Sequence, residues 1–173
     1  MLGEVETWIG RDERLTELRL NEVFERFENE QPVLAEHMGE TLGRIRDDMA
    51  LALGYFLTLV VWLSFDRAFG ARLRCLDDTS LDSVEEALSL DEQLRGADPA
   101  EAVDSDDVVA MEQPHLLQFV NEHIDAALDV SDAQVDVDAV HRVYRLVLVE
   151  ILALSYAVAP PAGDVVSSNE IHA

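Results

Sequence analysis

Apolar residues along this chain recur at helical spacing. Leu15, Leu18, Val23, Phe24 and Phe27, with Leu20, follow helical spacing, which predicts an amphipathic helix over about 11–29. Pro32 stands where a first helical residue belongs, since its missing N–H loses nothing there. A second helix follows to about Arg44, with Leu34, Met38, Leu42 and Ile45 on one face. Asp47 and Asp48 then offer a cap to a third helix, from Met49 to about Phe69, that stops near Gly70. Residues 49–65 carry no charge and are apolar nearly all round, the mark of a helix enclosed by others.

The middle of the chain is more polar. Thr79, Ser80 and Ser83 can cap a helix, and Ser83-Val84-Glu85-Glu86 fits a capping box, predicting a middle helix from Leu81 to Arg95 that ends at Gly96. Residues 96–107 (GADPAEAVDSDD) read as an acidic, solvated linker.

Beyond it the first pattern returns. Glu112-Gln113-Pro114 repeats Glu30-Gln31-Pro32 at an offset of 82, with further identities at Leu34/Leu116 and Glu40/Glu122. An acidic insert, Asp129–Asp138, precedes a second long apolar helix from about Ala139 to Val158, closed by Pro160-Pro161. Its Leu154-Ser155-Tyr156 matches Leu63-Ser64-Phe65 at an offset of 91, which aligns Glu150 with Leu59. No segment alternates with period two between turn signals, so no sheet is expected. The expectation is an all-α, single-domain helical bundle over residues 1–173. Two duplicated hairpins (about 32–70 and 114–159) would be related by a pseudo-two-fold axis, with an extra N-terminal helix and a short middle helix. The repeat halves span about 12–75 and 108–161, and 162–173 reads as a flexible tail.

Composition narrows the partners. With 36 acidic against 12 basic residues the formal charge is −24, which repels nucleic acid and anionic membrane surfaces. One cysteine, Cys75, excludes an intramolecular disulfide and reads as an incidental thiol near a helix end. The acidic N-terminus lacks a signal-type apolar run, so a cytoplasmic protein is expected. The uncharged stretch 49–65 is shorter than the ~20 residues of a bilayer span. Its counterpart contains Glu150, so no membrane span is expected.

Few residues suggest chemistry. Glu112-Gln113-Pro114-His115 and Asp138-Ala139-Val140-His141 have the acid-x-x-His spacing that di-iron bundles use, making Glu112, His115 and His141 candidate metal ligands. Against this, Pro114 puts Glu112 at a helix entrance, and Val33 occupies the first repeat's histidine position. Glu150 is the one candidate catalytic carboxylate; its plainer reading is an edge residue reaching solvent or an arginine. His37, His123 and His172 have no partners at metal spacing, and the 129–138 insert lacks the glycine and terminal glutamate of an EF-hand loop. Trp8 and Trp62 read as packing residues. No phosphate loop, nucleophile elbow or dinucleotide fingerprint occurs, and no cofactor is implied.

The expected function is therefore a non-enzymatic protein-interaction or self-associating module, with an unidentified protein partner or a homo-oligomer. The alternative is a metal-binding or carboxylate-dependent enzyme using Glu112, His115, His141 and Glu150. The acidic residues are spread over helix starts, helix faces, linker and insert, and lysine is absent. Such dispersal fits a surface adapted to salt, where screening relieves self-repulsion. Thermal melting followed by circular dichroism should shift upward from millimolar to molar salt; a salt-independent melt removes this reading.

Overall fold

In a computed structural model, residues 13–97, 105–129 and 136–160 are described. Helices dominate: α1 (Glu13–Glu30), α2 (Pro32–Leu42), α3 (Asp48–Phe69), α4 (Asp78–Ala97), α5 (Ser105–Glu112), α6 (Pro114–Asp129) and α7 (Val137–Ala157), with a 3-10 turn at Gly70–Arg72. No strand occurs among the described residues. The protein is all-α.

The two most apolar helices, α3 and α7, make the most extensive contact in the fold. Their N-terminal caps touch: the Asp136 amide donates to Asp47 Oδ2 at 3.3 Å. Their C-terminal ends are tied as well, by Arg74 N–H to Ala157 O at 3.1 Å and Ala159 N–H to Arg72 O at 2.8 Å. The pair therefore runs parallel. Parallel helices place like dipole ends together, and charge of the right sign sits at each end. Asp47 and Asp136 cap the two N-termini by accepting from Ala50 and Ala139 at 2.7 and 3.1 Å, with Asp48 and Asp138 in the first turns. Backbone donors from Ala50 and Asp136 hold the Asp47 carboxyl below its ordinary range. At the opposite end Arg67 lies in the last turn of α3, and Arg72 Nε reaches Ala159 O at 3.0 Å. Gly54 permits the close approach: a Cβ there would collide with Leu42 Cδ2 and stand 3.3 Å from Val143 Cγ2. Gly70, with φ +50°, ends α3 in the left-handed region.

Neighbours enclose this pair. Apart from α4, which packs on α7 and α5 alone among the extensive contacts, the packed pairs correspond between α1–α3 and α5–α7: α1–α2, α1–α3, α2–α3 and α2–α7 are matched by α5–α6, α5–α7, α6–α7 and α6–α3. The junctions match too. Gln31 N–H donates to Phe27 O at 2.8 Å and Gln113 N–H to Val109 O at 2.7 Å, and Phe27 and Val109 are both fully buried. In α3 the buried positions are Ala50, Gly54 and 57–65. Shifted by 89, the separation of the two caps, all fall on buried residues of α7: Ala139, Val143 and 146–154. The offset of 91 read from Leu-Ser-Phe/Tyr would instead set Ala50 against exposed His141. Caps and burial thus align Glu150 with Val61, two residues from the Leu59 expected.

Three further readings need correction. The middle helix starts at Asp78, earlier than Leu81, because Asp77 accepts from Ser80 N–H at 2.8 Å. Ser83 is no cap; its hydroxyl donates to Thr79 O within the helix. The stretch 96–107 is only partly linker. Ser105 opens α5, whose Val109 inserts into the core. A helix thus precedes α6 just as α1 precedes α2. Within the insert, Asp136 to Asp138 form the cap and first turn of α7. Residues 98–104 and 130–135, the 162–173 tail, Trp8 and His172 lie outside the described residues. Asp48–Arg72 is long and apolar enough to cross a membrane, and 61% of its most apolar window is buried against the other helices.

The first junction carries an unusual buried amide. Gln31, at 2% exposure, donates from Nε2 to Arg74 O and accepts at Oε1 from Leu76 N–H, each at 2.9 Å. Gln31→Ala removes both bonds and strands two backbone groups, a cost of about 2–4 kcal/mol. Gln118, exposed and bonded to Glu122, serves as the control. Its alanine variant should cost less than about 0.5 kcal/mol in the same urea titrations.

Candidate functional site

The polar residue placed deepest in the structure is Glu150, on the face of α7 that packs into the core. Its neighbours along the helix, Leu146–Val149 and Ile151–Leu154, are all buried, and its own exposure is 0%. Neither carboxyl oxygen has a hydrogen-bond partner. Burial pushes this carboxyl well above the usual range, because the charged form would lose its water without compensation. The Thr58 hydroxyl across the α3 interface pulls the other way by less. It falls short of bonding the carboxyl and lies 3.9 Å from Met38 Sδ. The expected edge residue reaching solvent or an arginine is thus replaced by an enclosed acid whose burial favours the protonated form. Its position within a turn-by-turn apolar run was visible in the sequence; which side α3 would cover was not.

The candidate metal ligands do not assemble. Glu112 is exposed at the end of α5, whereas His115 is exposed in the first turn of α6, so the break at Pro114 divides the Glu-x-x-His motif between two helices. His141 is exposed in the second turn of α7. Among the described residues no three His, Cys, Asp or Glu side chains come together as a cation site. The other histidines have local roles: His37 faces Glu85 at 3.5 Å, and the His123 ring stacks beside Phe119 and Phe56 with Nδ1 2.9 Å from Phe119 O. Cys75 is exposed in the segment between the 3-10 turn and α4.

Open surface is found elsewhere. A cleft of about 430 Å³ lies between the C-terminal half of α3 and the start of α6, lined by Ser64, Phe65, Ala68 and Phe69 on one side and Gln113–Leu116 on the other. Its walls are mainly apolar, with the half-buried Gln113 and exposed His115 at the α6 entrance. A smaller cleft of about 200 Å³ at the α1–α3 joint is lined by Glu22, Val23, Arg26, Leu63, Asp66 and Arg67. There Arg26 bridges Glu30 and Asp66 at 3.2 and 2.9 Å and lies 5.1 Å above the Trp62 ring. The bond to Asp66 raises the affinity of the guanidinium for its proton. Trp62 is fully buried beside Phe27, a packing role, although its Nε1 has no acceptor. Neither cleft is lined by Glu150.

No protein-family model, curated protein or solved structure matches this chain. Function must therefore be argued from these surfaces. Sequence reading missed the α3–α6 cleft, because Ser64, Ala68 and Gln113 are unremarkable until two helices bring them together. The recurrence of Glu-Gln-Pro was its one sequence signal.

The buried acid has a definite thermodynamic sign. Unfolded, Glu150 ionises above about 4.5; folded, it keeps its proton to higher pH. The native state binds the extra proton, so Glu150 costs stability increasingly as pH rises through that window. Glu150→Leu should stabilise the protein by about 1–3 kcal/mol at neutral pH, with the gain shrinking toward pH 4.5. Glu150→Gln should flatten the pH dependence without the full gain. Denaturant melts across pH check both; destabilisation by leucine at neutral pH would point to a partner for the carboxyl.

Proposed function

We propose that this protein is a non-enzymatic helical interaction module, and that the α3–α6 cleft is where it takes up an extended polypeptide segment. The supporting observation is the matching seat in the other half. There Gln31 and the end of α7 hold the backbone of Arg74–Leu76, with Leu76 buried. The cleft presents the corresponding residues, Gln113 and the end of α3, along an apolar wall. A glutamine side chain that donates to one carbonyl and accepts from an N–H two residues on reads an extended backbone. Apolar walls supply the burial that drives association.

The same comparison supports descent of the two halves from one three-helix unit, α1–α3 and α5–α7, rather than from a hairpin. The unit would repeat about a pseudo-two-fold axis running between the parallel α3 and α7. Equivalent caps, equivalent glutamine junctions and coincident burial at one offset are what a duplication predicts. The enzyme alternative has less support, because Glu150 is sealed from both clefts and Glu112, His115 and His141 stand exposed and apart.

Replacing the exposed Ala68 by a benzophenone amino acid and irradiating the full chain in cells tests the cleft. Cross-links to a polypeptide, lost when Ser64→Trp fills the seat, are expected. Cross-links to lipid or small molecules alone, or a yield unaffected by filling, overturn the reading.

A further inference from the structure

We infer that the polypeptide taken up by the α3–α6 cleft is a basic one: an extended segment with an arginine or lysine and, two residues further on, an aliphatic side chain of leucine size. This rests on the reading of the cleft as a seat for extended chain. The occupied seat supplies the template. After α3 the backbone makes a 3-10 turn and then runs extended at Leu73, which pairs antiparallel with Val158. Arg74 is gripped on both sides, its N–H by Ala157 O at 3.1 Å and its carbonyl by Gln31 Nε2 at 2.9 Å. Two residues on, Leu76 donates to Gln31 Oε1 at 2.9 Å and is 5% exposed. This seat therefore holds an exposed arginine by its backbone, passes over the exposed Cys75, and buries a leucine.

The cleft offers the same grip, unused. At the 82-residue offset of the two Glu-Gln-Pro junctions, Gln31 and Leu34 correspond to Gln113 and Leu116. At the 89-residue offset of the helix caps, Leu154 and Ala157 correspond to Phe65 and Ala68. These four counterparts line the cleft. Gln31 commits its amide to two backbone bonds, whereas the half-buried Gln113 side chain has no hydrogen-bond partner among the described residues. The charge beside the glutamine differs. Glu30 precedes Gln31 and is held by Arg26 at 3.2 Å. Glu112 precedes Gln113, is exposed, and forms no ion pair among the described residues; the residue 82 positions after Arg26 is the uncharged Val108. An unpaired carboxylate next to the amide that clamps the backbone favours a cation on the clamped residue, the place Arg74 has in the template. On the α3 wall, Arg72 lies 5.7 Å over the Phe69 ring with its Nε tied to Ala159 O at 3.0 Å. The cleft is thus bordered by a cation on the α3 side and an acid on the α6 side, which sets the basic residue of the segment beside Gln113. Phe65 and Leu116 supply apolar wall for the aliphatic side chain two residues on. The formal charge of −24 draws such a segment from a distance and repels an acidic one.

Fluorescence anisotropy with the full chain tests this class of partner. The probe is a fluorescein-labelled peptide with the sequence of residues 71–77, serine standing in place of Cys75. It should bind, and Glu112→Arg, a change at an exposed position, should weaken it about three- to ten-fold. Gln113→Ala should weaken it on the order of ten-fold, the worth of one to two hydrogen bonds. Ala68→Trp, also at an exposed position, fills the seat and should abolish binding. Exchanging the serine and the second leucine of the peptide keeps its charge but moves the apolar side chain out of register, and should weaken binding on the order of ten-fold. Glutamate in place of both arginines should abolish it. A permuted or charge-reversed peptide that binds as well as the parent, or indifference to Glu112→Arg, overturns the inference. Failure of the parent peptide to bind while Ala68 still cross-links polypeptides in cells also overturns it, but leaves the cleft reading intact. The absence of both peptide binding and any polypeptide cross-link at Ala68 removes both.

Discussion

Everything in this fold is arranged around two apolar helices that run parallel. Parallel packing sets positive ends beside positive ends and negative beside negative, and the chain answers with charge. Aspartates 47, 48, 136 and 138 gather at the N-termini, and the arginines at 67 and 72 stand at the C-terminal end. The shared hydrogen bond from Asp136 to Asp47 makes one carboxylate serve both helices. A parallel pair also cannot be joined by a short turn. The chain must travel back from the end of α3 to the start of α7, and α4, α5 and α6 are that return path, wrapped over the exposed flanks.

Two departures from apolar regularity stand out against that frame. One is Glu150, which lies fully buried in α7, level with Val61 of α3, with no cationic side chain bonded to it among the described residues. Burial pushes its carboxyl well above the usual range, and the Thr58 hydroxyl pulls the other way by less. The other is the glutamine at each helix junction. In the first half the amide is consumed in holding backbone, and the groove beside it is filled. In the second half the equivalent groove lies open among the described residues, which is why the functional proposal attaches to that half.

Much of the fold was legible in the chain. Pro32 and Pro114 begin helices, Asp47 caps α3, and Gly70 ends it, because these signals act locally and depend on a single turn of backbone. Helix α5 was illegible for the same reason. Eight residues with a polar first turn have no detectable period, and Val109 becomes apolar anchorage only when a core exists to receive it. The likeness between the two parts of the chain was visible, but the register in which their buried positions coincide was not. The Leu-Ser-Phe/Tyr likeness favoured 91, whereas helix packing depends on which positions face inward, and those agree at 89.

The sequence by itself determined that the protein is helical, where most helices start and stop, and that two helices must be enclosed. Those properties follow from backbone geometry and from the sparing use of proline and glycine. Tertiary structure decided what no local pattern encodes: that the enclosed helices are parallel, that Glu150 faces inward instead of toward solvent, and that Glu112 and His115 belong to different helices. It also decided that Ser64, Ala68 and Gln113 meet across a cleft. Each depends on the relative placement of segments far apart in the chain, which is set by packing of whole helix faces, and not by the residues in question.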